Sequence, residues 1–417
     1  MSNQLSLFSF KKWLLSELLA RAGGAPIRIL LWDGTEGVLP GVAPLGTVVI
    51  KDPWILVKLF LNPELYFGQG YEAGRIEVEG NLVDMLTAVY DSMSRRAYPG
   101  WHHALISFWQ DRAQANSNRG SRRNIHRHYD LGNDFYKLWL DRQLLYTCAY
   151  FPRPNDGLEE AQIAKMHYVC RKVRLQPGET VVEAGCGWGA LALHMAKFYG
   201  AVVKAFNISH EQIIYAREWA RREGLADRVE FIEDDYRNIS GKFDVFMSVG
   251  MLEHVGPDHY KELGEVIHRS LPASGRGFLH FIGRNRPGHL NAWIRRRVFP
   301  GAHPPTLREV MRVFERHNFS VLDVENLRLH YARTLEHWLE RFEKSSDRVR
   351  SLFGEEFVRI WRLYLAGSVA AFQAGTLQLF QIAFARATNN SLSWTRNHLY
   401  AEELATEPEQ KWIPAMS

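Results

Sequence analysis

The sequence predicts an α/β protein: a mostly parallel sheet covered by helices on both faces, preceded by a smaller α+β region. Three observations carry this. Short apolar runs (TVVEAG, VVKAF, VEFIE, FDVFMSV, GFLHFIG, SVLDVENL) alternate with stretches of helical spacing (EQIIYAREWARREG, YKELGEVIHRSL, LREVMRVFERHNF). Parallel neighbours need a crossover between them, and alternation of this kind supplies it. A glycine-rich turn (Gly185, Gly187, Gly189) joins the first run to a helical stretch. Finally, RAQANSNRGSRR, residues 112–123, loses its apolar residues and has the composition of a linker.

The elements follow in order. Residues 1–111 mix a helical opening (Trp13, Leu14, Leu15, Leu18, Leu19) with strand-like runs such as GTVVI and GRIEVEG, punctuated by Gly and Pro. The linker at 112–123 separates them from a second domain, 124–417. There, apolar residues at Leu158, Ile163, Met166, Val169 and Val173 recur at helical spacing, and a PGE turn at 177–179 closes the helix before TVVEAG. After the alternating region, residues 335–386 read as mainly helical, a cap over the pocket.

Composition bounds the function. A chain of 417 residues buries a sizeable core without staples, and Cys148, Cys170 and Cys186 form neither a CxxC pair nor a disulfide framework, so a reducing cytosol is expected. The N-terminus carries no secretory pattern, and the most apolar stretch, Ile360 to Ala385, is interrupted by Arg362, Gln373, Gln378 and Gln381, as a spanning helix rarely is. Lys and Arg number 51 against 46 Asp and Glu, a net +5 that suits an anionic partner. Arg119, Arg122, Arg123 and Arg127 cluster at the linker. Arg284, Arg286, Arg295, Arg296 and Arg297 cluster with Trp293 and Phe299, a mixture that suits a phospholipid interface. No RNA-binding module signature accompanies them.

The glycine turn is GxGxG, neither the dinucleotide fingerprint nor a phosphate loop, and Glu183 just ahead of it suits a cationic cofactor better than a pyrophosphate. Beyond it, Glu253 follows an apolar strand, His280 lies inside another and Tyr331 ends the strand beginning SVLDVENL, so three polar groups are placed to converge at the ligand edge of the sheet. His254, beside Glu253, points the other way and reads as structural.

HYDLGNDFYKLWLD, LLYTCAYF, EAGCGWGALA, NISHEQIIYARE, DDYRNI, SVGMLEHVG and YARTLEHW occur in one order over residues 124–400. In these the chain resembles the cyclopropane fatty acid and mycolic acid cyclopropane synthases, within the class I S-adenosylmethionine (SAM)-dependent methyltransferases. The resemblance implies a Rossmann-like methyltransferase sheet with a helical cap. SAM would touch Tyr146 and Thr147, its amino acid part would lie along Gly185 and Gly187, its ribose near Asn207, Ile208 and Gln212, and its adenine between Tyr236 and Arg237. Asn207, Ile208 and Ser209 stand where the family usually has Thr-Leu-Ser. A bicarbonate ion would serve as base at Cys148, Glu253, His280, Ile282 and Tyr331, with Cys148 and Ile282 contributing backbone groups.

The implied reaction places a carbon from SAM on the cis double bond of a membrane phospholipid's acyl chain. Attack on the sulfonium methyl leaves a carbocation, and a base closes the ring by taking a proton from the added carbon, which demands a dry pocket. Where the family commonly has Cys the chain has Ser368, so thiol catalysis is not expected. The resemblance further implies a lipid-engaging N-terminal domain, a homodimer, and a cytoplasmic enzyme on the inner face of the cell membrane. Two readings compete: a relative producing methylene- or methyl-branched chains, and a non-catalytic lipid-binding or transfer protein.

Overall fold

The computed structural model describes residues 2–95 and 131–400. The linker at 112–123 and Arg119, Arg122, Arg123 and Arg127 lie outside the described residues. The chain divides into two compact units: Met1–Asn124 with Ile282–Thr306 and Arg328–Leu379, and Ile125–Phe281 with Leu307–Leu327 and Phe380–Ser417.

The first unit holds a four-stranded sheet in the order β2-β1-β3-β4, from β1 (Arg28–Leu31), β2 (Glu36–Gly37), β3 (Gly46–Ile50) and β4 (Ile76–Gly80). In β3 the GTVVI alternation appears directly, with every second residue buried. Helix starts are marked by local chemistry. Asp52 caps Pro53–Leu61 by accepting from Trp54 N at 2.9 Å, and Asn81 caps Leu82–Ser94. The helices Arg328–Lys344 and Glu355–Gln373 pack together, and the latter packs on Leu82–Ser94. Arg359 ties it to the small sheet by donating to the Ile76 carbonyl at 2.9 Å.

In the second unit, seven strands run in the order β10-β11-β9-β8-β5-β6-β7. They are β5 (Thr180–Ala184), β6 (Val202–Asn207), β7 (Val229–Glu233), β8 (Val245–Val249), β9 (Arg276–Gly283), β10 (Phe319–Asn326) and β11 (Gln378–Arg386). From β7 through β6, β5 and β8 to β9 the pairing is parallel, and β10 pairs antiparallel with β11. Residues alternate between faces: Val181, Val203, Val245 and Phe278 join one core cluster, while Val182, Phe206, Phe246 and Leu279 join another.

Two expectations are corrected. Residues 335–386 are helical only to Gln373, because QLFQIAFAR forms β11. A strand buried on both faces reads as an unbroken apolar run and loses its period-2 signature. Tyr331 does not end a strand: β10 stops at Asn326, and Tyr331 lies in the first turn of the Arg328–Lys344 helix, its ring 4.6 Å from that of Phe372.

Candidate functional site

The glycine turn leaves β5 with Gly185, Gly187 and Gly189 at φ 85°, 53° and 92°, a region that L side chains rarely adopt. Gly189 caps the Ala190–Tyr199 helix, and a Cβ there would sit 2.6 Å from Phe231 Cζ, whereas at Gly187 it would meet open space. The backbone can thus approach a ligand at Gly187 while the turn stays packed at Gly189. Gly189→Ala is expected to lower stability by about 1–3 kcal/mol, through both the strained φ and the overpacked contact, read as a lower denaturant midpoint at unchanged slope.

Glu183, two residues before the turn, is only 2 % exposed. Its Oε2 has no hydrogen-bond partner among the described residues. Burial pushes its carboxyl up from 4.5 to about 8, opposed by the charge of Lys165. A buried, unsatisfied carboxyl beside an open glycine backbone fits a cationic cofactor. Lys165 is itself buried and donates to Thr147 Oγ1 at 2.7 Å, with desolvation lowering it to about 8. Gln162 donates to the Thr147 carbonyl at 2.9 Å. Buried Asp141 accepts from the Gln143 and Leu145 backbone N–H groups at 2.9 and 3.0 Å, bracing the loop that carries Tyr146.

Aromatic packing continues this wall. Trp188, inside the glycine turn, lies 5.0 Å from Tyr136 and donates from Nε1 to Asn133 Oδ1 at 2.7 Å, and Tyr146 packs on Tyr136 and Trp139 at 5.7 and 5.2 Å. At the end of β6, Asn207 donates to Gly187 O at 3.2 Å and to Gln212 Oε1 at 2.7 Å, while its Oδ1 accepts from Ser209 N. Asn207 is therefore a brace of the turn, with Gln212 in the same network and Ile208 partly buried between them. Tyr236 occupies a single 3-10 turn after β7, and Arg237 lies over its ring at 5.1 Å while pairing with Asp235 and Glu262.

Glu253 is buried in the short Leu252–Val255 helix that follows β8, and the buried Cys148 thiol donates to Ala149 O at 3.1 Å. His280, on β9, is 2 % exposed, and Ile282 follows it on the same face of the strand. Gln381 of neighbouring β11 donates from Nε2 to His280 Nδ1 at 3.1 Å, and His280 Nε2 has no partner among the described residues. Burial, then the charges of Lys165 and Lys172, hold His280 well below 6.5, so it is neutral. Glu253, His280 and Cys148 belong to the second unit, Ile282 and Tyr331 to the first. Sequence reasoning missed Lys165, Gln162, Asp141 and Gln381.

Two members of the aromatic and arginine cluster are engaged within the first unit, while Arg286 and Arg296 are exposed. Trp293 is buried, with its ring packed on the backbone of Gly68, where a Cβ would come within 2.3 Å. Its Nε1 donates to Glu72 Oε2 at 2.9 Å, and Arg297 pairs with the same carboxylate. Charge spacing alone could not show that Glu72 was waiting.

Comparison with known proteins adds identity to this geometry. A family model described as mycolic acid cyclopropane synthetase matches residues 116–382, and a domain of unknown function matches residues 14–97. A probable fatty acid methyltransferase of Pseudomonas putida is 34% identical, covering 90% of this chain and 96% of its own. The cyclopropane-fatty-acyl-phospholipid synthase of Escherichia coli K12 is 39% identical over 64% of this chain and 69% of its own. Among solved structures, the mycolic acid cyclopropane synthase CmaA1 complexed with SAH and CTAB superposes with a TM-score of 0.60 at 29% identity, covering 63% of this chain and 97% of that one.

Proposed function

The chain belongs to the mycolic acid cyclopropane synthetase family of SAM-dependent enzymes, and on that premise we propose that it converts the cis double bond of a phospholipid acyl chain into a cyclopropane ring, with bound bicarbonate as base. The observation that carries the reading is His280: a neutral, buried imidazole in an apolar strand, its Nε2 unmatched, in the same sheet as Glu183 and the glycine turn. A polar group so placed costs free energy unless a ligand completes it.

SAM, when bound, supplies a methyl carbon activated by its sulfonium. Glu183 then holds a positive group against the turn, Asn207 fixes the Gly187 carbonyl, and Thr147, held by Lys165 and Gln162, presents its methyl toward Gly250, whose Cβ position lies 2.8 Å away. The sulfonium methyl carbon would be open to attack by the acyl alkene, and the residues around it would have to shelter the cation left on the acyl chain. Bicarbonate, when bound, supplies the base for the proton on the added carbon, whose C–H pair closes the ring. Within the second unit, Glu253, His280 and the backbone of Cys148 would hold that anion, and the aromatic wall would exclude water and shield the cation.

The test is product analysis after incubation with SAM and vesicles of unsaturated phospholipid. Acyl chains should gain one CH2 and resist mild hydrogenation. Of the competing branched products, a methylene-branched chain would take up hydrogen, and a saturated methyl-branched chain would show a mass gain of CH2 plus two hydrogens. No mass change in well-folded, SAM-binding protein would leave a lipid-binding protein instead.

Among the described residues no helix is long and apolar enough to cross a membrane. The first unit offers a face for a lipid surface. Trp54 and Leu61 are 73 % and 70 % exposed on one side of the Pro53–Leu61 helix, together with Val57, while Trp13 packs on Phe60 at 5.8 Å. Lys58 lies on the same side, and Arg21 covers Phe60. Trp beside Lys and Arg suits the head-group region of an anionic bilayer. Trp54→Glu with Leu61→Glu is expected to weaken vesicle binding at least roughly 100-fold, since each apolar side chain contributes about 1.5–3 kcal/mol on burial. Flotation at rising salt should show weaker binding to anionic vesicles; equal retention of variant and wild type would remove this face from the reading.

A further inference from the structure

We propose that Gln381 is a positioning residue for ring closure: by donating its amide N–H to His280 Nδ1, it confines the imidazole proton to Nε2 and makes His280 a hydrogen-bond donor to the anion that takes the substrate proton. The inference rests on the bound-anion reading above and extends it to a residue outside the motifs.

The two side chains sit on neighbouring strands, β11 and β9, both buried, 3.1 Å apart. An amide nitrogen only donates, so Nδ1 must accept, and a neutral imidazole then carries its single proton on Nε2. That nitrogen has no partner among the described residues, and neither does Gln381 Oε1. Every other residue of β11 from Leu379 to Ala385 is apolar and buried. A glutamine in such a strand sacrifices hydration for one contact, so the contact has to matter. The consequence is mechanistic. An imidazole with Nε2–H cannot accept the substrate proton without becoming imidazolium, in a place where burial and two lysines oppose positive charge. His280 is thereby excluded as the base and retained as a donor to it.

The experiment reads the tautomer directly. Protein labelled with 15N-histidine gives two-bond proton–nitrogen correlations, and the His280 signal is assigned by its loss in His280→Gln. Wild type should show Nε2–H. Gln381→Glu accepts at Nδ1 and should move the proton there, raising the apparent KM for bicarbonate roughly 10-fold, the loss of one hydrogen bond to an anion, with SAM affinity unchanged by calorimetry. Gln381→Met, which adds no charge, should show mixed tautomers and a smaller rise. An Nδ1–H tautomer in wild type overturns the proposal. So does a folded Gln381→Met with wild-type tautomer and wild-type bicarbonate dependence. Wild-type turnover that needs no bicarbonate overturns the anion reading, and the proposal with it, by a result distinct from a wrong tautomer.

Discussion

Replacing Glu183 with Gln should weaken SAM binding by roughly 10- to 100-fold, the cost of losing a hydrogen bond to a charged partner, while relieving the cofactor-free protein of a pH-dependent penalty. The sign follows from burial. The folded, cofactor-free chain holds the Glu183 carboxyl up at about 8, against an ordinary value of 4.5. Between those values the folded state keeps a proton that the unfolded chain has released, so this group lowers stability progressively as pH rises from about 4.5 to about 8. The amide introduced by Glu183→Gln does not titrate, so the variant's Tm should fall less than that of the wild type across this window. A cation placed beside the carboxyl favours its charged form, and cofactor binding should therefore expel a proton. Calorimetry near neutral pH, in buffers of different ionisation enthalpy, should show proton release for wild type and none for Glu183→Gln. Equal SAM affinities and equal proton counts would remove Glu183 from the cofactor site.

How far the sequence could be read depends on whether a residue's role is set locally. Strand–helix alternation and the glycine turn are local, and β5 through β9 appear where the apolar runs put them. β11 was illegible because burial on both faces erased its period. Tyr331 was misplaced because nothing between Asn326 and the helix at Arg328 marks the chain's turn out of β10: no proline or glycine stands there. Lys165 and Gln162 sit on an otherwise amphipathic helix, where polar residues ordinarily face water; only the tertiary structure shows that both are buried and bound to Thr147. Trp293 and Arg297 failed in the opposite direction, since Glu72, more than 200 positions away, absorbs both. The residues that resisted reading are polar groups satisfied by distant partners, and composition carries no information about such pairings.

Glu253→Gln should lower turnover by about 100-fold or more, on the scale of general base catalysis, with SAM affinity preserved. The preserved affinity separates it from Glu183→Gln: Glu183 precedes the cofactor turn on β5, whereas Glu253 follows β8. Gln keeps the shape of the side chain and removes its charge, so a folding defect is not the expected outcome, and equal melting temperatures would confirm that. On the proposed reading, loss of the Glu253 charge leaves the anion with the donor at His280 alone, and the cation proposed on the acyl chain would wait longer for deprotonation. Water captures such a cation when the base is slow, so the residual product should contain a larger hydroxylated share, visible as a mass gain of CH2 plus water. Removing bicarbonate from wild-type reactions should reproduce both the slower turnover and the hydroxylated share. Normal turnover by Glu253→Gln in bicarbonate-free buffer, with no hydroxylated product, would eliminate the base site proposed at Glu253 and His280.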